Sequence, residues 1–348
     1  MKQLLFIGTS SKIGKGGIAY VLGAYKKLFP DSYFISTTAS ANKFLNSLYI
    51  ISSLLCYILI LTFDRRIRII HIHGASYNSF YRKYIFFKIS QLFKKKTIYH
   101  IHGGEFHIFF ENSSKTIQKI VRDFIENADY VICLSEWWKR YFISTFNIRK
   151  IEIVPNVVIP PTSDKNKNDK GADGLLTFLF LGYVGEHKGV WFLLDVLRDN
   201  IEQIKDKAKF YIGGNGEINV LKSKIKEYNL DGIVEYIGWV TNDKKNYYLR
   251  KADIFLLPSY NEGLPISILE AMSYKLPILS TNVGGIPEVV SHENGILITP
   301  GNTTELKDAI HFFLNNSFDS MGQKSFEVVK KHFPEEVQKI LMQIYTSL

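Results

Sequence analysis

Short apolar runs alternate with longer amphipathic segments along the whole chain. In the first half the strand-like runs are LLFIG, YFIST, IRIIHIHG, TIYHIHG and YVICLS, and in the second they are TFLFLG, KFYIGG, VEYIG, DIFLLPS, PILST and GILIT. Continuous apolar runs of this length are typical of strands that are covered on both faces, as in a parallel sheet. Their alternation with helical segments predicts an α/β fold of two doubly wound, Rossmann-like domains.

The composition changes near the middle of the chain. After IEIVPNVV comes PPTSDKNKNDKGADG, and a second strand-first unit then begins at Leu175. A stretch rich in Pro, Asp, Asn, Lys and Gly is typical of a linker. We therefore predict a first domain over residues 1–160, a linker over 161–174 and a second domain over 175–332.

One segment, Phe44 to Phe63, has twenty residues without a charge, which is the length of a membrane span. It lies between two strands that we assign to one sheet, so a crossover helix must connect them on one side of any membrane. We expect a mostly buried helix. A helix that partly faces lipid and a true span are the alternatives.

Positive charge is concentrated in the first half of the chain. The net charge is +10, and the segment from Arg65 to Gly104 contains nine Lys and Arg residues and no acid. A solvated helix face, an anionic membrane or a nucleic acid could each account for this. We expect peripheral contact with an anionic membrane and no nucleic-acid partner, and we keep a nucleic-acid-binding protein as an unfavoured alternative.

Two features favour a cytoplasmic protein, and the expected membrane contact would then place it on the inner face of the cell membrane. The chain has only two cysteines, Cys56 and Cys133, which suit a reducing compartment. Its first residues, MKQLLFIGTSSKIGKGG, carry an apolar run too short for a typical signal peptide, and we expect a buried strand there.

Two motifs follow predicted strands of the first domain. The loop GTSSKIGKGG leads into a helix at Ile18, whose free N–H groups can receive a phosphate. It matches G-x-G-x-x-A formally, but no acid ends the next strand to bind a ribose, which disfavours a nicotinamide enzyme.

The second motif, HIHG, occurs twice and places four histidines at alternate strand positions: His71, His73, His100 and His102. They either hold a metal or are buried and hydrogen-bonded, and we favour the second interpretation. Two glycines follow His102, so a ligand can approach it closely, and it is the best functional candidate of the four.

The segment PSYNEGLPISILEAM carries the strongest chemical signal of the second domain. A strand, Ile254 to Leu257, precedes it, and Pro265 suits the first position of a helix whose leading N–H groups can bind a phosphate. Glu262 precedes that helix and Glu270 lies one turn inside it. A carboxylate accepts two hydrogen bonds, as the paired hydroxyls of a ribose offer, so this segment indicates a nucleotide site.

Glu262 and Glu270, separated by seven residues, resemble the signature of retaining glycosyltransferases of family 4. The resemblance continues along nearly the whole chain through GKGG, HIHGG, VICLSE, IVPNVV, FLGYVGEHKG, GNGE, YIGWV and VGGIPEVV followed by NGILI. It implies the GT-B fold, with two Rossmann-like domains and the active site in the cleft between them. It also implies a last helix, at about 333–348, that returns to the first domain.

The resemblance also implies roles for individual residues. Glu270 would bind the ribose, Lys188 the diphosphate, and His102 would face the transferred sugar, which makes Glu262, Lys188 and His102 the expected catalytic residues. Trp239 would lie beside the nucleotide. The expected donor-binding residues are Gly16, Gly17, Lys188, Gly214, Gly216, Val240, Glu262, Gly263, Leu264, Pro265, Ile266 and Glu270.

These implications define an expected reaction. It transfers a hexose or N-acetylhexosamine from a nucleotide-diphosphate sugar, with a UDP-sugar as the expected donor, to a glycan or lipid-linked acceptor, with retention of configuration. We expect neither a cofactor nor a metal, because the sequence has no Asp-x-Asp pair to hold a metal on the diphosphate.

The chain departs from the family at Tyr183, where members usually carry arginine. Lys12 and Lys15 are possible substitutes for the missing cation. A catalytically silent subunit that binds sugar nucleotides is therefore the main alternative.

Overall fold

A computed structural model describes residues 3–10, 17–38, 43–161 and 174–348. The chain divides into two compact units, one formed by Met1–Val158 with His332–Leu348 and the other by Ile159–Lys331. Residues 162–173 of the predicted linker lie outside the described residues, as do Lys12, Lys15 and Gly16. Each unit is built around its own parallel sheet.

Unit 1 contains a six-stranded parallel sheet in the order β2-β1-β3-β4-β5-β6. Its strands are β1 (Leu4–Gly8), β2 (Tyr33–Ser36), β3 (Ile69–Gly74), β4 (Lys96–Ile101), β5 (Tyr130–Cys133) and β6 (Ile151–Ile153). Its helices are α1 (Gly17–Leu28), α2 (Lys43–Phe63), α3 (Asn78–Leu92), α4 (Phe106–Glu111), α5 (Lys115–Asn127), α6 (Glu136–Thr145) and α14 (Pro334–Thr346). The chain changes direction across the sheet between β1 and β3, where such folds bind ligands.

The last helix, α14, packs on unit 1 although it follows all of unit 2 in sequence. The Tyr345 hydroxyl lies 2.7 Å from His71 Nδ1, and the Gln338 amide donates to the Leu28 carbonyl at 3.1 Å. The Tyr345 ring also meets Phe29 edge-on. An apolar side of α14 thus completes the core beside α1 and β3.

The prediction that the Phe44–Phe63 segment is mostly buried is wrong. The segment does form a crossover helix, α2, between β2 and β3, but only 17% of its apolar window is buried. Ser53, Tyr57 and Leu61 form the narrow buried side, Leu54 and Ile60 are half-buried beside it, and most of the other side chains described for the helix are exposed. Apolar composition along a helix therefore did not reveal how much of its circumference is covered.

The basic segment is also less exposed than its sequence indicates. Lys83 is fully buried in α3 and donates to the Thr37 hydroxyl at 2.7 Å. Burial, together with the nearby Arg82 charge, lowers the Lys83 pKa from its ordinary 10.5 to about 7. Lys96 pairs with Asp129 at 2.9 Å, and the Lys95 ammonium donates to the Ile67 carbonyl. Only part of the charge run can therefore meet a partner.

Unit 2 contains a second six-stranded parallel sheet, in the order β12-β11-β10-β7-β8-β9. Its strands are β7 (Leu176–Leu181), β8 (Ala208–Gly213), β9 (Val234–Gly238), β10 (Ile254–Leu257), β11 (Ile278–Thr281) and β12 (Gly295–Ile298). Its helices are α7 (Val190–Asp199), α8 (Ile201–Ile204), α9 (Ile218–Glu227), α10 (Asn242–Lys251), α11 (Ile266–Ser273), α12 (Thr303–Asn315) and α13 (Asp319–Val329). Three-residue 3-10 turns span Glu186–Lys188, Ile286–Glu288 and Lys330–His332, the last at the boundary between the units.

The strand order of unit 2 is that of a dinucleotide-binding fold. The first three strands run outward from β7 on one side, and the next three run outward from β10 on the other. The change of direction lies between β7 and β10, which pair with each other. Ligands of such sheets bind outside the carboxyl ends of the strands at this switch point. The predicted α/β class with two doubly wound domains is confirmed.

Candidate active site

Lys188 and Glu262 meet at the switch point of unit 2. Lys188 ends the 3-10 turn that follows β7, and Glu262 lies in the loop that follows β10. The Lys188 Nζ lies 2.5 Å from Glu262 Oε1, and the Ser259 hydroxyl donates to the same oxygen at 2.9 Å. Glu262 and Ser259 are buried, while Lys188 stays partly exposed. The Glu262 carboxylate therefore holds the Lys188 ammonium at the carboxyl-terminal edge of the sheet.

Close backbone contacts hold these two loops together. Gly189, at φ 71°, follows Lys188, and a Cβ there would lie 1.9 Å from the Pro258 carbonyl oxygen. The Tyr260 N–H donates to the His187 carbonyl at 3.0 Å. Only glycine fits at residue 189, because the conformation is left-handed and the neighbouring backbone is too near. This packing positions Lys188 against the glutamate loop.

Helix α11 begins directly after the glutamate loop. It starts at Ile266, and Pro265 precedes it in an extended conformation, so the prediction that Pro265 is the first helical residue is wrong by one position. The N–H groups of the first helical turn have no partner inside a helix and carry partial positive charge. Gly263 and Leu264 are buried in the loop that leads there, and Gly263 accepts a hydrogen bond from the Gly285 N–H at 2.6 Å.

Glu270, inside α11, forms a second carboxylate–lysine pair. Its Oε1 accepts a short hydrogen bond from Lys245 of α10. Burial raises the pKa of Glu270 above its ordinary value, and the nearby Lys245 charge opposes that rise. Lys245 thus favours the ionised form of a buried carboxylate that can accept hydrogen bonds from a diol.

The other predicted donor-binding residues of unit 2 lie in loops at the same edge of the sheet. Gly214 approaches the preceding loop so closely that a Cβ would lie 1.7 Å from the Gly182 carbonyl oxygen. Gly216 pairs with Val184 in an isolated bridge. Val240 is buried after β9, whereas Trp239 beside it is 41% exposed. The loops after β7, β8 and β9 therefore meet beside the glutamate loop.

Tyr183 lies where the sequence comparison expected arginine. Its side chain is 41% exposed, and its ring centroid lies 5.0 Å from that of His187. A phenol offers one hydroxyl in place of the five donors of a guanidinium. Among the described residues, the Lys188 ammonium supplies a cation beside this loop, and the start of α11 supplies N–H groups.

The four histidines of unit 1 form a row on one face of β3 and β4. Ring centroids of His71 and His73 are 4.3 Å apart with planes at 14°, and those of His100 and His102 are 4.1 Å apart with planes at 26°. The His71 and His100 rings contact each other at 3.2 Å, and His73 Nδ1 lies 2.9 Å from His102 Nε2. The arrangement is a hydrogen-bonded stack.

Burial and neighbouring imidazoles keep this stack neutral. They lower the pKa of His71, His73 and His100 well below the ordinary 6.5. Burial lowers the His102 pKa to about 3, and the interaction of its ring with the Asn156 side chain acts in the opposite direction. Nitrogen atoms of His71, His73 and His100 lie within 4.8 Å of one another. Both ring nitrogens of His71 already have partners, the Tyr345 hydroxyl and His100 Nδ1, and these contacts favour the hydrogen-bonded interpretation over a metal site.

These residues belong to unit 1, and their predicted contact with a donor stays a prediction. His102 ends the row after β4, where a neutral imidazole can donate or accept a hydrogen bond. Gly17 is the first residue of α1.

Sequence reasoning missed two residues of the unit 2 site. Ser259 lies three residues before Glu262, so the motif itself contained the signal for it. Lys245 lies 25 residues before Glu270 in a different helix, within the polar run TNDKKNYY. Nothing in that run distinguishes Lys245 from Lys244.

The whole chain is similar to solved structures. Anabaena HepE in complex with UDP-glucose matches it with a TM-score of 0.80 and 18% sequence identity over 99% of each chain. This likeness, together with the two doubly wound units, establishes the GT-B fold.

Two family models match consecutive parts of the chain. The model for glycosyltransferase family 4 matches residues 34–160, and the model for glycosyl transferases group 1 matches residues 162–327. Together they cover most of the chain. The chain belongs to the family of glycosyltransferases that these two models describe.

Named relatives share part of their length with this chain. The 2-deoxystreptamine N-acetyl-D-glucosaminyltransferase of Niallia circulans is 31% identical over 180 residues, which are 50% of this chain and 46% of that protein. An uncharacterized glycosyltransferase of Haemophilus influenzae is 30% identical over 221 residues, which are 60% of each. The chain thus spans roughly half of the length of these curated relatives.

Proposed function

We propose that this protein is a retaining glycosyltransferase that moves a hexose or N-acetylhexosamine from a UDP-sugar to a hydroxyl of a lipid-linked glycan. The observation that carries the proposal is the pair Lys188–Glu262 at the switch point of unit 2, beside the start of α11 and the Lys245–Glu270 pair. A cation and the first N–H groups of a helix suit a diphosphate, and a carboxylate one turn along the helix suits a ribose.

The choice of a UDP-sugar is supported by similarity. The matched HepE structure contains UDP-glucose, and the Niallia relative is named as an N-acetylglucosaminyltransferase. Neither name fixes the sugar for this chain. Between them the two names print UDP, glucose and N-acetylglucosamine, and this supports a hexose or N-acetylhexosamine on UDP as the proposed donor class.

The proposed reaction breaks the bond between the sugar's anomeric carbon and the diphosphate oxygen. Lys188 and the first amides of α11 stabilise the negative charge that develops on the departing diphosphate. The acceptor oxygen bonds to the anomeric carbon from the face that the diphosphate leaves, and its proton passes to a phosphate oxygen. Glu262 orients Lys188 through their contact, and Ser259 orients Glu262. This route needs no covalent sugar adduct on the protein.

The proposed acceptor and location follow from the charge of unit 1. Exposed arginines and lysines beside apolar side chains suit a surface that rests on an anionic membrane. We therefore propose a peripheral protein on the inner face of the cell membrane, where a lipid-linked acceptor for surface polysaccharide would be available.

A screen of sugar nucleotides tests the donor first. UDP-glucose, UDP-N-acetylglucosamine, GDP-mannose and ADP-glucose are compared for their effect on the melting temperature, since a ligand at 100 times its Kd stabilises by about 2.7 kcal/mol. Transfer of labelled sugar from the stabilising donor into membrane lipid is then measured. We expect stabilisation by UDP-sugars and transfer that is lost in Lys188→Ala and kept in Lys209→Ala, a lysine of another ion pair in unit 2.

The outcomes separate the proposal from its alternative. Donor binding without transfer in the presence of membrane lipid would contradict catalysis and support a silent sugar-nucleotide-binding subunit, which Tyr183 in place of arginine favours. Stabilisation by GDP- or ADP-sugars alone would contradict the UDP assignment.

A further inference from the structure

Helix α2 presents a continuous apolar face to solvent. Phe63 is 80% exposed and Leu55 is 58% exposed, and these values are far from those of core residues. Spacings of three and four residues place the exposed apolar side chains along the outer side of the helix. We call this set the α2 surface: Leu48, Ile51, Leu55, Ile58, Leu59 and Phe63. Among the described residues, α2 is the helix long and apolar enough to cross a membrane.

The inner side of α2 is fastened to unit 1. The Tyr57 hydroxyl lies 2.6 Å from the Ser90 hydroxyl of α3, and the Ser53 hydroxyl donates to the Ser36 carbonyl at 2.9 Å. Leu61 belongs to the buried core of the unit. The strands that flank α2 in sequence, β2 and β3, both pair with β1. Crossing a bilayer would break these contacts, so the helix can meet lipid only along its outer side.

Basic side chains border the end of the α2 surface. Arg65 and Arg68 lie in the turn after α2, and Lys94 lies in the turn after α3, and all three are exposed. Lys95 links the two turns, since its ammonium donates to the Ile67 carbonyl at 2.8 Å. No described carboxylate lies within ion-pair distance of the three exposed cations, whereas neighbouring Arg66 is paired with Asp64 at 2.7 Å.

A groove joins the apolar and basic parts. It has a volume of about 700 Å³ and runs from Leu59 and Phe63 to Arg65, with Tyr33 on its wall. Apolar walls that lead to a guanidinium suit a phospholipid whose acyl chain lies along the walls and whose phosphate meets Arg65. The Asp64 carboxylate, which also lines the groove, is paired with Arg66. Leu92, at the end of α3, is 80% exposed and extends the apolar area next to Lys94.

We propose that the α2 surface is a membrane-docking surface, which lies flat on an anionic bilayer with its apolar side chains in the interface and Arg65, Arg68 and Lys94 on the headgroups. An anionic bilayer offers hydrocarbon and negative charge together, as this surface requires. A second copy of the chain would instead bring the same excess of positive charge. The inference deepens the proposed function and rests on it only for the identity of the acceptor.

The chain contains its own probe site for a test. Cys56 is exposed on α2 and Cys133 is buried, so an environment-sensitive fluorophore attaches selectively to Cys56. The labelled full chain is mixed with phosphatidylcholine vesicles that contain either no anionic lipid or about 30% phosphatidylglycerol. No donor is present, so failure of catalysis does not affect the result. Binding of unlabelled protein is measured by vesicle flotation.

Two variants, each with a control elsewhere on the chain, separate the apolar and basic contributions. The apolar variant is Leu48→Gln/Ile51→Gln/Leu55→Gln/Leu59→Gln, and its control changes exposed apolar residues of α6 and α9, Ile143→Gln/Val220→Gln. The basic variant is Arg65→Gln/Arg68→Gln/Lys94→Gln, and its control changes three exposed lysines of unit 2, Lys207→Gln/Lys222→Gln/Lys226→Gln.

We expect the fluorophore to brighten and shift to shorter wavelength with anionic vesicles, and quenchers placed in the lipid to reduce its emission. Each cation contributes about a factor of five, so the basic variant should bind about 100-fold more weakly. The apolar variant should lose binding to a similar extent, while both controls keep it. Raising salt from about 0.1 M to about 1 M should release the protein.

Three results would overturn the proposal. The first is that the protein does not float with anionic vesicles. The second is flotation without any change in the fluorescence of the label on Cys56, and the third is equal binding to neutral and anionic vesicles. A concentration-dependent dimer that the apolar variant abolishes, with no vesicle binding, would instead assign the α2 surface to a second copy. Loss of transfer with vesicle binding intact would count against the proposed function alone.

Discussion

Replacing buried Lys83 with methionine should remove a pH-dependent contribution to the stability of unit 1. Lys83 is fully buried, and its ammonium donates to the hydroxyl of Thr37 at 2.7 Å. Thr37 in turn donates to the Gly8 carbonyl at 3.1 Å, so it keeps a partner when the lysine is lost. Methionine preserves the length and most of the packing of the side chain without its charge.

The expected size follows from the Lys83 pKa, which is about 7 in the folded chain and 10.5 ordinarily. One pKa unit corresponds to about 1.4 kcal/mol, so burying the ammonium costs about 5 kcal/mol below pH 7. Between these two pKa values the unfolded chain binds one more proton than the folded chain, and stability therefore rises with pH. The rise should be about 2.5 kcal/mol between about pH 7.5 and pH 9.5.

The assay must report on unit 1 alone, because chains of two domains rarely unfold in one step. Replacing Trp191 and Trp239 with phenylalanine leaves Trp137 and Trp138 of unit 1 as fluorescent reporters. Denaturant unfolding is then followed at several pH values, with and without Lys83→Met. This pH range lies above the ordinary histidine pKa and below that of tyrosine, so the difference between the two curves isolates Lys83.

The free energy of unfolding should rise with pH in the parent and stay nearly flat in Lys83→Met. Parallel curves would refute the reasoning, since they would mean that Lys83 keeps its ordinary pKa in the folded chain. A slope of opposite sign would mean that the buried ammonium has gained an anionic partner.

Three further predictions concern the unit 2 site. Lys188→Ala should raise the activation free energy by about 3 kcal/mol, which lowers kcat about 150-fold, while Glu270→Ala should chiefly weaken donor binding. Rates near wild type in both variants would contradict the assignment. Lys245→Ala should raise the Glu270 pKa further, so that as the pH is lowered UDP affinity begins to fall at a higher pH than in wild type or in Lys244→Ala. Unchanged pH profiles would mean that Lys245 does not affect nucleotide binding. Transfer should continue in excess EDTA, and NMR of the product should show a linkage with the anomeric configuration of the donor. A strict need for added metal or an inverted product would contradict the mechanism.

The strands were predictable because their signal is local. A parallel strand with helices on both faces must be apolar at nearly every position, and runs such as LLFIG and TFLFLG meet that condition. The glutamate motif was equally readable, since the strand, Glu262, the helix start and Glu270 follow one another within a short segment. This part of the site could be predicted because its residues are close together in the sequence.

What the sequence did not reveal depends on contacts between distant segments. The apolar residues of α2 look like a core helix, and only the positions of its neighbours expose Leu55 and Phe63. Lys83 looks like part of a solvated charge run, yet its side chain points inward to Thr37. Lys245 meets Glu270 across two helices. None of these outcomes follows from local periodicity or composition.

Hydrogen exchange with and without UDP tests the central claim, that the switch point of unit 2 binds the nucleotide. Exchange of backbone amides is followed by mass spectrometry of peptides from the full chain at saturating UDP. We expect slower exchange in the peptides that contain Lys188 and in those that span Glu262 to Glu270, because ligand contacts restrict local opening there. UDP binding with protection confined to other segments would contradict the account.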